Sequence, residues 1–250
     1  MTRWIAAAFA ISLCPIAASA QADLSAAVAG PGRPVDQIAL DASRKPAEVL
    51  AFLGLKPGDV AADIMAGSGY YTEIMARAVG PKGRVIAVEP TQFYIGQPKA
   101  IAAWDALKGR APNVELTVGP FGTIAAAPAS LDFTLMHLVY HDLYWESAQY
   151  KVPRVDPAAF LKSLYAATKP GGIVGVVDHV GAAGDTRAIV DALHRIDPAV
   201  IKADFKAAGF ILEGESPLLR VVGDDIAKLV FDPAVRGKTD RVVYRFRKPG

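Results

Sequence analysis

Two segments of the sequence place a histidine next to an aspartate where a run of apolar residues ends. His141 and Asp142 follow the run Leu131–Val139, and Asp178 and His179 end a later run. Runs of this length predict buried parallel strands, whose carboxyl ends meet at one edge of an open sheet. Because a histidine beside a carboxylate can act as a general base, we interpret these four residues as catalytic candidates.

Two other interpretations of these residues remain open. With open coordination positions they could hold a divalent metal ion, but their spacing matches no recognised ligand motif and we place no metal there. They could also serve packing, as could His137, which lies inside an apolar run. His194 could approach the same site from a capping helix or lie at the surface.

A glycine turn provides a second candidate site. Residues 60–65 form an apolar run with the length of a strand, a helix is predicted from Tyr70, and Gly67 and Gly69 lie between them. Glycines leave room for a ligand, and the first N–H groups of a helix favour electronegative ligand atoms. Glu89 ends the next predicted strand, where its carboxylate can accept hydrogen bonds from two ribose hydroxyls. Turn and acid together predict a nucleotide-cofactor site.

The spacing of the turn excludes two related motifs. The dinucleotide fingerprint needs a small residue three positions after the second glycine, where this sequence has Thr72. A hydrolase nucleophile elbow needs glycine two residues on each side of Ser68, where Ala66 and Tyr70 stand.

The turn resembles motif I of the class I S-adenosylmethionine-dependent methyltransferases, Asp-x-Gly-x-Gly-x-Gly. Asp63, Gly67 and Gly69 match, and Met65 replaces the first glycine. In this respect the chain resembles a group of predicted secreted bacterial methyltransferases with a large apolar residue at that position. The segments that precede two of the predicted strands, Leu-Lys-Pro-Gly-Asp and Lys-Pro-Gly-Gly, extend the resemblance.

The resemblance implies an α/β fold, a Rossmann-like sheet of seven mostly parallel strands with helices on both faces and an antiparallel last strand. It also implies S-adenosyl-L-methionine as the cofactor. The loop after the third strand lacks the acid that often contacts the adenine amino group, so Phe121 is the candidate for adenine packing. The implied cofactor-binding residues are Asp63, Met65, Ala66, Gly67, Ser68, Gly69, Tyr71, Glu89, Phe121 and His137.

The first twenty residues have the features of a secretory signal peptide. They carry one charge, Arg3, an apolar stretch and the small residues Ala18-Ser-Ala20 before Gln21. About fifteen apolar residues are short for a membrane span of about 20, which favours cleavage over an uncleaved anchor. We therefore expect a periplasmic or secreted protein with no stable membrane insertion after cleavage.

The rest of the chain predicts an irregular N-terminal arm over residues 21–42 and a single domain over residues 43–250. The composition is 52% hydrophobic and 21% charged, which is typical of a compact globule. A formal net charge of +2 argues against a nucleic-acid-binding surface. Arg44 and Lys45, at the start of a helix predicted to run from Ser43 to Leu53, could steer an anionic substrate or be solvated helix-end charges.

From these features we predict methyl transfer from S-adenosylmethionine to a small-molecule acceptor. The alternative is an exported, non-catalytic binding protein for S-adenosylmethionine or a related nucleoside. The sequence identifies neither the acceptor nor the oligomeric state.

Overall fold

A computed structural model describes residues 22–250, so the predicted signal peptide lies outside the described residues. Residues 22–250 form one sheet of seven strands with helices on both sides. The strands are β1 (Val60–Ile64), β2 (Arg84–Pro90), β3 (Val114–Gly119), β4 (Leu131–His137), β5 (Thr168–His179), β6 (Ile211–Ser216) and β7 (Arg241–Arg247). The helices are α1 (Leu24–Ala29), α2 (Val35–Ile38), α3 (Asp41–Arg44), α4 (Pro46–Leu53), α5 (Tyr70–Val79), α6 (Thr91–Tyr94), α7 (Pro98–Arg110), α8 (Pro157–Ala167), α9 (Thr186–Leu193) and α10 (Pro198–Ala207), with a 3₁₀ helix over His141–Tyr144.

The order of the strands across the sheet is β3-β2-β1-β4-β5-β7-β6. The first five are parallel, and β7 runs antiparallel to both β5 and β6. The predicted fold class is therefore confirmed. The order reverses between β1 and β4, and open α/β sheets bind ligands at the carboxyl ends of the strands on either side of such a switch point.

Two apolar layers cover the sheet, one with α4 and α5 and the other with α8 and α10. Glycine permits close contact in the first layer, because a Cβ at Gly175 of β5 would lie 2.4 Å from Leu53 of α4. Leu53 is fully buried, and burial of such a side chain stabilises the fold by about 1.5–3 kcal/mol. Among residues 22–250, no helix is long and apolar enough to cross a membrane.

The N-terminal segment differs from its prediction as an irregular arm. It contains α1, α2 and α3, and Leu24 and Ala27 are buried in the core. The side chain of Asp23 caps α1 by accepting a hydrogen bond from the Ala26 N–H. The predicted helix from Ser43 to Leu53 is divided at Lys45, whose φ is 44°. The proline at position 46 explains the division, since a proline disfavours helical backbone at the preceding residue and favours a new helix start.

Two features of the chain near the candidate site affect its geometry. The short helix α6 directly follows β2. The run Leu131–Val139 stays a strand only to His137, because Leu138 has a φ of 61° and leaves the extended conformation. The chain then turns into the 3₁₀ helix that carries His141 and Asp142.

Candidate functional site

The glycine turn and Glu89, next to the last residue of β2, meet as predicted. The N–H of Gly67 donates to Oε2 of Glu89 at 2.8 Å, and the indole N–H of Trp104 donates to the Gly67 carbonyl at 3.1 Å. Gly67 has a φ of 60°, and a Cβ there would have no atom within 4 Å, so its open side faces free space. Gly69 has a different role, because a Cβ there would lie 2.3 Å from Leu107 of α7. Gly67 therefore leaves room for a ligand, and Gly69 lets the start of α5 pack closely against α7.

Two non-glycine residues with left-handed backbone flank the turn at the ends of the central strands. Met65 follows β1 with a φ of 52°, and Leu138 follows β4 with a φ of 61°. Left-handed backbone costs an L-residue about 1–2 kcal/mol, a cost that glycine avoids. Met65 adopts this conformation at the position where motif I has glycine.

Two buried carboxyl groups lie beneath the turn. Asp63 accepts a hydrogen bond from the Thr72 hydroxyl at 2.6 Å. Burial raises the pKa of Asp63 to about 7, although the hydrogen bonds from Thr72 oppose this shift. Burial likewise raises the pKa of Glu89 to about 7, against the hydrogen bond from Gly67. Both carboxyls therefore change charge near neutral pH.

A cleft of about 220 Å³ opens beside the turn. It is lined by Arg44, Asp63, Met65, Ala66, Gly67, Ser68, Tyr70, Tyr71, His137 and Leu138. The ring of Tyr71 lies 4.5 Å from that of His137, whose Nε2 is buried without a hydrogen-bond partner among the described residues. Burial holds the pKa of His137 well below its usual value, so this imidazole is neutral.

Arg44 is a residue of this cleft that the sequence did not distinguish from a surface charge. Its guanidinium lies 4.5 Å from the ring centre of Tyr70, and burial lowers its pKa. Within residues 22–250 it forms no ion pair with a carboxylate. The cleft thus contains a half-buried cation available to an anionic group.

A second pocket, of about 670 Å³, lies on the other side of Leu138. Its polar wall comes from both His–Asp segments and from α9, and its apolar wall from aromatic residues and from the connection between β6 and β7. Its lining includes Phe93, Leu138, His141, Asp142, Trp145, Tyr150, His179, Asp191, His194 and Phe231. Leu138 lines both cavities, so the small cleft and the large pocket are neighbours.

The structure brings the four predicted catalytic residues together around Asp178. This fully buried carboxylate accepts hydrogen bonds from the backbone N–H of His141 at 2.9 Å and from the N–H of His179 at 2.7 Å. It also lies 2.7 Å from Nδ1 of His141. The Nε2 atom of His141 is 3.3 Å from Asp142, and Nδ1 of His179 is 2.8 Å from the Thr239 hydroxyl.

Neither histidine of this group titrates near neutral pH, as a simple general base would. Burial alone would lower the pKa of His141, but Asp142 and Asp178 outweigh it and raise the pKa to about 9. Burial lowers the pKa of His179 to about 3, against the attraction of Asp178. In the unliganded protein at pH 7, His141 is therefore cationic and His179 is neutral.

Solved structures with the same architecture superimpose on this chain. An S-adenosylmethionine-dependent methyltransferase from Aquifex aeolicus superimposes with a TM-score of 0.57 at 21% identity, covering 85% of this chain and 99% of the other. A putative sarcosine dimethylglycine methyltransferase from Galdieria sulphuraria gives a TM-score of 0.58 at 17% identity, covering 86% and 88%. The chain has the class I methyltransferase fold.

Sequence similarity covers part of the chain. The family model of protein-L-isoaspartate (D-aspartate) O-methyltransferases matches residues 36–128, which include the glycine turn and the first three strands of the methyltransferase fold. An arsenite methyltransferase from Halobacterium salinarum is 29% identical over 133 residues, which is 53% of this chain and 30% of that protein. An uncharacterised Streptomyces fradiae protein is 29% identical over 140 residues, 36% of its length. The chain thus spans about a third of the length of these curated relatives.

Three of the residues expected to bind cofactor do not line the small cleft of this methyltransferase fold. Gly69 packs against α7, and Glu89 reaches the turn through the N–H of Gly67. Phe121 is buried with its ring 6.5 Å from that of Phe93, outside the cleft. The other seven lie in its lining: Asp63, Met65, Ala66, Gly67, Ser68, Tyr71 and His137.

The aromatic residues around the His–Asp segments have two different positions. Trp145 and Tyr150 line the large pocket, whereas Tyr140 and Tyr144 donate their hydroxyls to Asp204 of α10 and serve packing. His194 proves to be a pocket residue, with Nδ1 at 3.6 Å from Asp142. It ends α9 with a φ of 50°, a conformation that its sequence context does not indicate.

Proposed function

We propose that this protein transfers the methyl group of S-adenosylmethionine to a small-molecule acceptor bound in the large pocket. The observation that carries the proposal is the position of Leu138 between the two cavities. A ligand in the small cleft and a ligand in the large pocket would meet beside this residue. Such proximity is the main requirement of group transfer, which depends on alignment of the reacting atoms.

The residues of the small cleft fit the proposed cofactor. The open side of Gly67 leaves space for a ligand near the start of α5. The Glu89 carboxylate lies behind the turn, next to the cleft rather than in its lining, and its oxygen not engaged by Gly67 would accept hydrogen bonds from the ribose hydroxyls of a ligand that extends past Gly67. Arg44 would pair with the carboxylate of the methionine portion, because a half-buried guanidinium binds carboxylates strongly. Bound there, S-adenosylmethionine supplies a methyl group on a positively charged sulfur.

The large pocket fits a small acceptor. A volume of about 670 Å³ is in the usual range for small-ligand sites. Trp145, Tyr150 and Phe231 offer apolar surface, and the histidine and aspartate groups of the same lining offer hydrogen bonds. This chain would bind the acceptor with its nucleophilic atom toward Leu138 and keep bulk water from the reaction.

We do not assign to this chain the acceptor that is named for its arsenite methyltransferase relative. Arsenite is thiophilic, and soft ligands such as thiolates suit it best. Cys14 is the sole cysteine in the sequence and falls in the predicted signal peptide, so residues 22–250 supply no thiolate. We propose instead an oxygen or nitrogen nucleophile, consistent with the polar groups around His141.

We further propose that the protein is exported, on the evidence of residues 1–20. A single charge, an apolar stretch and small residues before Gln21 support cleavage after Ala20. The proposed site is compatible with an oxidising compartment, because residues 21–250 contain no cysteine.

Calorimetry and a methyl-transfer assay on the same purified protein test the function. We expect S-adenosylmethionine to bind in a one-to-one complex, and labelled methyl groups to appear on at least one compound of a panel of small phenols, hydroxy acids and amines. Absence of binding by S-adenosylmethionine and its demethylated product would refute the proposal. Binding without transfer across the panel would support a non-catalytic binding protein instead.

A further inference from the structure

Three polar side chains converge in the large pocket from different parts of the chain. His141 and Asp142 belong to the 3₁₀ helix after β4, and His194 ends α9. One potential ligand atom from each lies within 4.8 Å of the other two. His194 follows Asp142 by 52 positions in the sequence, so this group becomes visible only in the fold.

Two distances within this group match those between ligands of one metal ion. Oδ1 of Asp142 is 3.3 Å from Nε2 of His141 and 3.6 Å from Nδ1 of His194. Two ligand atoms at about 2.1 Å from a metal, at a tetrahedral angle, lie about 3.4 Å apart. Asp142 is thus at ligand distance from each imidazole, and the two imidazoles, whose ligand atoms lie within 4.8 Å, would move closer together to share an ion.

A buried carboxylate orients the first of these ligands. Nδ1 of His141 lies 2.7 Å from Oδ1 of Asp178, so Nε2 is the nitrogen directed toward Asp142. Imidazole ligands of metals usually bond a carboxylate or carbonyl through their second nitrogen, and this bond fixes the ring and raises its basicity. Asp178 is itself fixed by the N–H groups of His141 and His179.

The environment of the group favours a ligand role over simple packing. The carboxylate of Asp142 accepts no hydrogen bond from a backbone N–H or a hydroxyl within residues 22–250, and its polar neighbours are the two imidazoles. Its side chain is 20% exposed and that of His194 is 14% exposed, so both can be reached from the pocket. The left-handed backbone of His194 is a conformation of the kind that concentrates at functional sites.

From this geometry we propose that His141 Nε2, Asp142 Oδ1 and His194 Nδ1 form a binding site for a divalent transition-metal ion. Two imidazoles and one carboxylate suit zinc, iron(II), cobalt(II) or nickel(II) rather than magnesium or calcium, which prefer oxygen ligands. Three protein ligands leave at least one coordination position free, and that position faces the pocket. This differs from the sequence interpretation, in which no metal was placed.

The position of the proposed metal site in the large pocket indicates a role in binding the acceptor. Resting on the proposed function, the ion would bind the nucleophilic oxygen of the acceptor and favour loss of its proton to solvent. The carbon–oxygen bond then forms as the carbon–sulfur bond breaks, with that electron pair returning to sulfur. The acceptor class is accordingly small molecules with a metal-binding hydroxyl group.

Direct metal binding tests the site without any need for methyl transfer. The full-length protein, purified without a histidine tag and stripped with chelator, is titrated with cobalt(II) and, separately, with zinc. We expect one equivalent to bind, a visible cobalt absorption band that zinc abolishes, and no competition from millimolar magnesium. We also expect zinc to raise the melting temperature of the parent protein.

Substitutions at the proposed ligand residues test which side chains bind the metal ion. Asp142→Asn and His194→Gln are close to isosteric and should each weaken zinc binding by about 100-fold or more, and Asp178→Asn by about 10- to 100-fold. Asp191→Asn is the matched control, because this exposed carboxylate lines the same pocket outside the ligand group. Its affinity should stay within about twofold of the parent if binding depends on coordination rather than charge.

The outcomes separate this inference from the proposed function. Absence of a cobalt band, unchanged zinc affinity in both Asp142→Asn and His194→Gln, or an equal loss in Asp191→Asn would overturn the metal site. None of these results would affect binding of S-adenosylmethionine in the small cleft. Conversely, metal binding in a protein that ignores S-adenosylmethionine would keep the site and refute the methyl transfer.

Discussion

Replacement of Glu89 by glutamine is the sharpest test of the cofactor cleft. Oε2 of Glu89 accepts the Gly67 N–H, and its other carboxylate oxygen accepts no hydrogen bond from residues 22–250. A hydrogen bond to a charged group contributes about 1.5–3 kcal/mol, so the variant should bind S-adenosylmethionine about 10- to 150-fold more weakly. The amide keeps the shape of the side chain, so the loss would report the charge.

The pH dependence of S-adenosylmethionine binding provides a second, independent test of Glu89. Burial raises the pKa of Glu89 to about 7, and the ionised form is the one that accepts two hydroxyl hydrogen bonds. About nine tenths of the groups are ionised at pH 8 and about one tenth at pH 6, so affinity should fall about tenfold between these values. The fall occurs as pH decreases, since protonation removes the acceptor.

Calorimetry at pH 6, 7 and 8 on the parent and Glu89→Gln proteins measures both effects. Glu89→Gln should show a much flatter slope. Asp63→Asn should keep the slope but move it to lower pH, because the charge of Asp63 contributes to the raised pKa of Glu89. If the slope survives unchanged in Glu89→Gln, Glu89 is not the group that the cofactor contacts.

Three further changes test other parts of the structure. Arg44→Gln should weaken S-adenosylmethionine binding about 10-fold or more in calorimetry through loss of a carboxylate partner, while Lys45→Gln, whose side chain points away to Leu218, should not. Gly67→Val should abolish binding yet keep a cooperative melting transition, whereas a valine at Gly69 would collide with α7 and lower the melting temperature by several degrees. Residues 1–25 fused to a reporter should direct export, with mass spectrometry showing cleavage after Ala20; an unprocessed cytoplasmic reporter would contradict export.

Local sequence patterns are sufficient to predict the central strands and the glycine turn. The strands around the sheet centre follow from apolar runs, and the turn at Gly67 follows from two glycines before a helical segment. The meeting of Glu89 with this turn was also predictable, because parallel neighbouring strands end at one edge. The antiparallel last strand was expected from the resemblance to the methyltransferases.

Residues brought to the site by tertiary packing were not predictable in the same way. Arg44 looks like an ordinary helix-end charge until α3 lies over Tyr70. His194 and Thr239 approach the His–Asp group from segments with no distinctive motif. The shifted pKa values of His141 and His179 depend on burial and neighbouring charge, and sequence spacing gives neither.

The hydrogen bonds that hold Asp178 in place affect which parts of the large pocket can vary between related proteins. Two hydrogen bonds from His141, one from its backbone N–H and one at Nδ1, join this buried carboxylate at the end of β5 to the segment after β4. Phe231 belongs to the irregular chain between β6 and β7, is 55% exposed and packs with its ring 5.2 Å from that of His194. Substitutions in that connection can therefore reshape the accommodated ligand while His141 and Asp178 stay fixed, so related proteins could acquire new acceptors through loop changes.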